Sequence, residues 1–535
     1  MRKKWMRNLA PVLALVLAAG VLSGCAQGAG ETSGAATTAE SSAETGSTQG
    51  EEGTQEENAS QTAKDTLVIA TANEPPSVTT NQHNSIAGNY MNTMTHNGLF
   101  KMNENMEPVP DLVESYENPS DTEWIFHLKQ GVLFHNGEEM TARDVKASLE
   151  LCQQSLEVSQ YGASTGTIEV VDDYTVKLTT DGPQSGLLSD LTHHGNFILP
   201  ADLIESGHDF NTEPIGTGPY KMVAWNRGES LEFEAFDDFF GGAPAIKHIT
   251  WRIIPEGSSR TMALETGEVD LIVDVETTDM NRIAETDGMT LYSEAGTSHN
   301  FMTINNEVAP FDNVNFRKAL ASAIDKDAVV QVALNGDGTP VDSMVPDCFP
   351  GTTAEGAPTY DPEQAKAYLE ASGLSPEECS FTLICSDDIK LRAGQVIQSS
   401  LKENLGIDIQ LESMDLATYL DAVMGGDYEA ALGGYTSSNL LGYILGLYHS
   451  SSINASNLTR TNLPEADALI EQIQTTLDPE ENEALIGEFC RLINEDCPFV
   501  PLYMKNNTRA YNSDLQGFNC TANGITYYEQ FSWAN

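Results

Sequence analysis

Hydrophobic and polar residues alternate with two different periods along most of the chain. A period of two, which is typical of a strand with one buried face, runs through residues 124–129. A helical period follows, in which Val145, Leu149, Cys152 and Leu156 fall on one face. Strands and helices therefore follow one another in mixed order, which predicts an α/β fold.

The same two patterns recur to the end of the chain. They predict a hairpin over residues 167–180 and strands over residues 66–70, 231–235, 249–253, 381–385, 407–411 and 499–504. They predict helices over residues 258–266, 325–334, 362–372, 395–404, 464–477 and 479–494. Capping residues support these helices, since Thr141 and Asp144 have the spacing of an approximate capping box and Asp361 precedes Pro362.

The first 25 residues have a different pattern. Basic residues come first, an apolar run covers residues 9–22, and small residues lead to Cys25. These are the features of a secretory signal, and the run is shorter than the roughly 20 residues that span a bilayer. The residues before Cys25 resemble the bacterial lipobox, which implies a signal peptide over residues 1–24 and a lipid on the Cys25 thiol. An ordinary secretory signal with a chance cysteine is the alternative.

Residues 25–64 contain mainly Ser, Thr, Gly, Ala, Gln and Glu, with almost no large apolar side chains. Such a segment cannot bury enough apolar surface to offset the entropy lost on ordering. Its acidic residues also repel one another, which favours extension. We therefore expect a disordered acidic tether between Cys25 and the folded body.

Length and charge narrow the class of protein. The chain has 535 residues, well beyond the roughly 250–300 at which a single core stops growing, so two or more lobes are expected. Its 27 Lys and Arg residues against 79 Asp and Glu residues give a formal charge of −52. This charge argues against nucleic-acid binding and against adhesion to anionic lipid, both of which need a basic surface.

Cysteine spacing gives no clear framework. If Cys25 carries lipid, seven cysteines remain, so at least one of them has no partner within the chain. An exported compartment permits disulfides, but no CxxC motif is present to indicate a zinc ribbon or a thioredoxin-like site. The remaining cysteines are Cys152, Cys348, Cys379, Cys385, Cys490, Cys497 and Cys520.

Several segments together resemble one known family. Residues 124–137, which read WIFHLKQGVLFHNG, are similar to the hallmark segment of the family 5 extracellular solute-binding proteins. These proteins are the peptide/nickel-type receptors of ABC importers. Other segments that are similar to the family, in the family's order, are residues 215–225, 239–255, 267–270, 305–326 and 494–503.

The resemblance implies a type II periplasmic-binding-protein-like clamp with two α/β lobes and an extra subdomain in the first lobe. The expected crossings between the lobes lie at residues 303–305 and 505–507. The expected divisions are a first lobe over 65–305 with its extra subdomain at about 103–210, a second lobe over 306–504, and a return to the first lobe over 505–535.

The resemblance also implies a function without chemistry on the ligand. A monomeric, lipid-anchored receptor outside the cytoplasmic membrane would capture a small solute, such as an oligopeptide or a similar polar molecule, and deliver it to an ABC permease. No catalytic residue, metal or cofactor is expected. The solute must bind the closed clamp more tightly than the open one, because equal affinity shifts no population.

Family resemblance places ligand contacts in the first lobe at two regions. The first region contains Asn81, His83 and Asn84, whose amides and imidazole can form hydrogen bonds with a polar ligand. An ordinary polar surface loop is the alternative for these three residues. The second region contains Tyr161, which fits a packing role equally well.

The third region is a second-lobe loop that contains Tyr435, Ser437 and Asn439. Oligopeptide receptors usually carry an aspartate two residues after the aromatic residue, where it pairs with the α-ammonium of the peptide. Ser437 occupies that position here, so a neutral or sugar-like ligand, or a peptide held in another way, comes into consideration. Tyr443 and Tyr448 offer either stacking surfaces or core packing.

Other functions receive less support from the sequence. The runner-up is an exported lipoprotein hydrolase with a nucleophile in the cleft, and a third candidate is a signalling receptor. Residues 162–166 match GxSxG, but a helix precedes them and a strand follows, which is the reverse of a nucleophile elbow. His193 and His194 are candidate metal ligands, although neighbours on a strand would point to opposite faces.

Overall fold

The computed structural model describes residues 64–534. The predicted signal peptide, the lipid attachment at Cys25 and the tether up to residue 63 lie outside the described residues. Within residues 64–534, no helix has the length and apolar character that crossing a membrane requires.

Strands and helices alternate through the described chain, as the sequence predicts. The strands are β1 (Thr66–Thr71), β2 (Phe100–Met102), β3 (Pro108–Pro110), β4 (Val113–Ser120), β5 (Glu123–Leu128), β6 (Thr167–Asp172), β7 (Thr175–Thr179), β8 (Tyr220–Asn226), β9 (Ser230–Ala235), β10 (His248–Ile253), β11 (Leu271–Val273), β12 (Met289–Ile304), β13 (Thr339–Pro340), β14 (Phe381–Cys385), β15 (Ile409–Ser413), β16 (Ala430–Thr436), β17 (Phe499–Asn512), β18 (Leu515–Gln516) and β19 (Ser532–Trp533).

The α-helices pack around these strands. They are α1 (Ile86–Thr95), α2 (Ala142–Gln153), α3 (Ser159–Gly162), α4 (Leu187–Asp190), α5 (Ala201–Ser206), α6 (Gly257–Glu265), α7 (Met280–Ala284), α8 (Val314–Ala323), α9 (Lys326–Leu334), α10 (Pro362–Ser372), α11 (Asp388–Leu405), α12 (Leu416–Gly425), α13 (Leu440–Tyr448), α14 (Pro464–Thr475) and α15 (Pro479–Asp496).

One continuous sheet runs through both lobes. Its strand order is β15-β14-β16-β12-β17-β11-β1-β10-β9-β8, and β13 also pairs with β17. In the second lobe, β14 pairs in parallel with both β15 and β16, and in the first lobe β1 pairs in parallel with β10 and β11. The long strands β12 and β17 lie between these halves and pair antiparallel with each other.

The ladder between β12 and β17 is interrupted where the chain passes between the lobes. Its register shifts between Ala295 and Ser298 on β12, opposite Asn506 and Lys505 on β17. From Ser298 onward, β12 also pairs with β16. The crossings expected at residues 303–305 and 505–507 stay predictions.

The extra subdomain contains a four-stranded sheet in the order β4-β5-β7-β6. Trp124 and Phe126 on β5 point to its buried face, where Val145 and Leu149 of α2 belong to the same core. The predicted alternation and helical face are therefore confirmed for these residues. The extension of the helical face to Leu156 is wrong, because α2 ends at Gln153 and Leu156 is 88% exposed.

The second lobe has the largest core. Phe316, Phe381 and Phe499 are buried in it, together with Tyr443 and Tyr448. The two tyrosines therefore take the packing role rather than the stacking role that the sequence also allowed. The seven cysteines from Cys152 to Cys520 are all free in the described residues, so no disulfide joins these elements.

Candidate functional site

A small cavity lies in the cleft between the lobes. First-lobe residues His96, Lys101, Asp111 and His193 line it, and Ser438 contributes from the second lobe. The cavity encloses about 50 Å³, which is room for a few water molecules. A larger solute can therefore enter only if the lobes separate or the lining side chains move.

The predicted contact loop of the first lobe is held by its own hydrogen bonds. His83 Nε2 lies 2.8 Å from Asn92 Oδ1, and His83 Nδ1 accepts a hydrogen bond from the Ser85 backbone N–H at 3.2 Å. Both ring nitrogens therefore have partners within the protein. Asn81 and Asn84 flank this histidine and are half-buried. His83 shapes the loop, and the three residues stay predicted rather than demonstrated ligand contacts.

Four rings form a stacked column beside the cleft. Tyr161 stacks on His193 with ring centroids 3.6 Å apart, His193 lies 4.1 Å from His194, and His194 stacks on His83 at 4.6 Å. Burial lowers the pKa of all three histidines, and the neighbouring imidazoles lower the pKa of His193 and His194 further. The three histidines are therefore uncharged at neutral pH, and the column brings two predicted contacts, His83 and Tyr161, into one cluster.

The geometry of the paired histidines differs from the expectation for a strand. His194 begins a short 3₁₀ turn and His193 caps it, so the two rings lie side by side instead of on opposite faces. Across residues 64–534, no group of three or more His, Cys, Asp or Glu side chains has an arrangement that suits a metal ion.

The second-lobe loop follows β16 and leads into α13. Ser437 Oγ donates to the Asn439 backbone O at 2.8 Å, and Asn439 Oδ1 accepts from the Gly442 N–H at 2.7 Å, which caps α13. Tyr435 packs edge-on against Tyr443. Burial raises the pKa of Tyr435, Tyr161 raises it further, and a hydrogen bond to Ser456 lowers it.

Asp190 joins the extra subdomain to this loop, and the sequence interpretation missed it. Asn439 Nδ2 donates to Asp190 Oδ1 at 3.3 Å, and Ser164 Oγ donates to Asp190 Oδ2 at 2.6 Å. Burial raises the pKa of Asp190 to about 7. Ser164 is the serine of the GxSxG match, and its hydroxyl is used as a structural donor to a carboxylate.

Asn196 fixes Asp190 and Tyr161 relative to each other. Its Nδ2 donates to the Tyr161 backbone O at 3.0 Å and to the Asp190 backbone O at 2.8 Å. Asn196 is fully buried, so its amide is well shielded from water. The cleft-facing wall of the extra subdomain is therefore held together by side-chain bonds to backbone groups.

The lobes make a second contact in addition to the hydrogen bond between Asn439 and Asp190. Ser185 donates its backbone N–H to the Gln474 O at 3.0 Å and its Oγ to the Ile473 O at 2.7 Å. Leu477, which follows α14, packs against the core of the extra subdomain. Apolar and hydrogen-bonded contacts therefore join the extra subdomain to the second lobe here.

The inner end of the cleft is charged. Asp111 is buried, and its Oδ2 accepts from Asn97 Nδ2 at 2.8 Å, while Lys101 Nζ lies 3.7 Å from its Oδ1. Burial raises the pKa of Asp111 and of Glu529, which reaches this place from the C-terminal segment. Neither carboxylate was predicted, because no local motif marks them and Glu529 comes from the far end of the chain.

Comparisons with known proteins agree with this architecture. The model of the bacterial extracellular solute-binding proteins, family 5 (middle), matches residues 107–454. The chain belongs to this family. Its members are solute-binding proteins and not enzymes, so the hydrolase alternative is rejected.

Individual relatives cover most of the chain. The chain is 28% identical over 440 residues to the glutathione-binding protein GsiB of Pectobacterium atrosepticum, which covers 79% of this chain and 85% of that protein. HbpA2 from Haemophilus parasuis has a TM-score of 0.81 at 22% identity and covers 88% of this chain and 100% of its own. The periplasmic binding protein DppA from Helicobacter pylori, in complex with the peptide STSA, has a TM-score of 0.69 at 22% identity over 88% of this chain and 99% of its own.

Proposed function

We propose that this protein is the lipid-anchored receptor of an ABC importer, which captures a peptide-like solute by lobe closure and delivers it to a permease. The observation that carries the proposal is the single sheet whose strands β12 and β17 cross between the lobes and change register there. A pair of crossing strands with a local irregularity permits rotation about one place while each lobe keeps its own core. The receptor would act as a monomer and leave the solute chemically unchanged.

Relatives support a peptide-like solute. GsiB is named for glutathione, and the related DppA structure holds a peptide. The cleft cavity suits such a molecule, because Lys101, Asp111 and Glu529 supply charge there and His193, on which Tyr161 stacks, supplies an aromatic ring to the lining. Peptides carry charged ends, amide groups and side chains that can use both kinds of contact.

The lipid anchor completes the proposed function. Everything that supports it is in the sequence before residue 26, where small residues lead to Cys25. Two acyl chains give stable anchoring, since each buried CH₂ contributes about 0.8 kcal/mol. The acidic segment after Cys25 would then separate the receptor from the membrane surface and keep it outside the cytoplasmic membrane.

A thermal-shift screen tests the binding function. Glutathione, di- to hexapeptides, oligosaccharides and nickel chelates would each be added to the purified protein. A solute at a hundredfold excess over its Kd should stabilise the folded state by about 2.7 kcal/mol. Stabilisation by glutathione or peptides supports the proposal. Stabilisation by sugars alone, or release of a hydrolysed product, would reject it.

A further inference from the structure

The cleft cavity is adjacent to a larger groove. This groove encloses about 770 Å³ and lies where the extra subdomain meets the rest of the first lobe. Lys101, Asp111 and Glu529 line both the cleft cavity and the groove. We call these three residues the junction. A solute that reaches the junction from the cleft has open space ahead of it.

Two of the junction residues already have partners. Asp111 accepts from Asn97 and lies near Lys101, as described above. Lys101 also lies over the ring of Tyr527, with Nζ 5.2 Å from the ring centroid. The charges of Asp111 and Lys101 therefore offset each other within the protein.

Glu529, unlike Asp111 and Lys101, has no side-chain partner among the described residues. In residues 64–534, no side chain donates a hydrogen bond to its carboxylate and no cation lies within ion-pair distance of it. Burial has the largest effect and raises the pKa of Glu529, whereas its own backbone N–H and the Lys101 ammonium lower this pKa, and Asp111 raises it by a smaller amount. A half-buried carboxylate without a side-chain partner favours a cationic group, because an unpaired charge that is partly withdrawn from water is costly.

We propose that Glu529 binds a cationic group, either an ammonium or a guanidinium, of an elongated solute that extends from the cleft into the groove. This inference rests on the proposed function. It also accounts for Ser437, since the positive end of a peptide would be recognised by the first lobe and not by the second-lobe loop. The solute class is then an oligopeptide, or a similar chain, with a free amino or guanidino group.

The groove has walls that suit the rest of such a chain. Phe239 and Phe240 form one side, and Lys129 lies over the Phe240 ring with Nζ 5.2 Å from its centroid. Lys129 Nζ also donates to the Asp111 backbone O at 2.6 Å, which fixes its position. Aromatic faces provide apolar contact, and the exposed amide of Gln130 provides donors and an acceptor.

The test compares Glu529→Gln with wild type and with Glu114→Gln. Glu114 is exposed and lines the groove away from the cleft cavity, so it serves as the matched control. Each full-length protein would be mixed with one pool of di- to hexapeptides, every peptide being present with a free and with an acetylated amino terminus. Native mass spectrometry then identifies and ranks the captured peptides.

The expected result is capture of peptides with a free amino group or a basic side chain by wild type and by Glu114→Gln. Glu529→Gln should bind the same peptides about ten- to a hundredfold more weakly, since a hydrogen bond to a charged group is worth about 1.5–3 kcal/mol. Equal capture by Glu529→Gln and wild type, or preferential capture of uncharged peptides, would overturn the inference. Capture of nothing by wild type would overturn the proposed function itself.

A second variant tests the role of the groove. Gln130→Trp places a large side chain at an exposed position of the groove wall. Capture of hexapeptides should fall while capture of dipeptides is retained, because only the longer chains reach the groove. Loss of both lengths in equal measure, or of neither, would contradict passage through the junction.

Discussion

Asp190 is a side chain through which the extra subdomain contacts the second-lobe loop that contains Asn439. Its carboxylate accepts from Ser164 on its own side of the cleft and from Asn439 on the other. The partners are neutral, and among the described residues no cation pairs with it. Asp190 therefore links closure of the cleft to the ionisation of one carboxyl group.

The pKa of Asp190 predicts a pH dependence of stability. Burial raises this pKa from 3.8 to about 7, so the folded state binds more protons than the unfolded state between these values. The contribution of Asp190 to stability must therefore fall as the pH rises through this range. Asp190→Asn should reduce this pH-dependent loss in the free energy of unfolding by about 1–2 kcal/mol. This value allows for solvent screening, because Asp190 is half-buried. Urea unfolding at pH 4.5 and 7.5 measures the difference.

The control for this experiment is Asp181→Asn, because Asp181 is exposed in the same subdomain. It should leave the pH dependence as it is in wild type. If Asp190→Asn also retained the full dependence, the carboxyl group would not be responsible for it.

The spacing of hydrophobic residues predicts strands and helices whose apolar face packs into a nearby core. The alternation of β5 and the helical face of α2 were predictable, since both belong to the small core of the extra subdomain. The end of α2 could not be predicted in this way. Ser155 Oγ accepts hydrogen bonds from the N–H groups of Glu157 and Val158, and the chain turns there before Leu156. That competing hydrogen bond leaves no signal in the spacing of hydrophobic residues.

Helix α11 shows how capping extends an element beyond its hydrophobic pattern. The sequence predicts a helix over residues 395–404, whereas α11 begins at Asp388. Asp387 caps it, since its Oδ1 accepts from the Lys390 N–H at 2.8 Å. Asp387→Ala should lower stability by about 0.5–2 kcal/mol in urea unfolding. The neighbouring exposed variant Asp388→Ala should cost less, and an equal loss in both would argue against the cap.

The residues of the candidate site come from distant parts of the chain, so the sequence predicted only some of them. Tyr161 and Tyr435 were predicted through family resemblance, and they stay predicted ligand contacts. Glu529 could not be found, because it is brought to the junction by the C-terminal segment, where Tyr527 donates to the Met102 backbone O across 425 positions. Asp190 and Asn439 likewise meet across 249 positions, which no local spacing reveals.

The Ser185 contact predicts an effect on closure. Ser185→Ala removes the 2.7 Å hydrogen bond from Ser185 Oγ to Ile473 O, which joins the extra subdomain to the second lobe. One such bond contributes about 0.5–1.5 kcal/mol, so the Kd for the captured solute should rise by up to about tenfold. Isothermal titration calorimetry measures this change. Ser189→Ala, on the neighbouring helix α4, is the control, and an equal effect there would show that the interlobe bond is not the cause.

Membrane attachment depends on Cys25 in the proposed function. Cys25→Ser in the full-length protein should move it from the membrane fraction to the soluble fraction, because anionic lipid repels a chain with a formal charge of −52. Cys520→Ser is the control and should remain in the membrane fraction. Membrane retention of Cys25→Ser would show that the protein is attached in another way.

In the proposed function, the two lobes close on a solute without changing it chemically. Small-angle X-ray scattering of the Cys25→Ser protein, with and without a saturating peptide from the screen, tests this most directly. We predict a smaller radius of gyration with the peptide and recovery of the peptide intact. An unchanged scattering profile at saturation, or a chemically altered peptide, would show that the protein is not a receptor that closes on its solute.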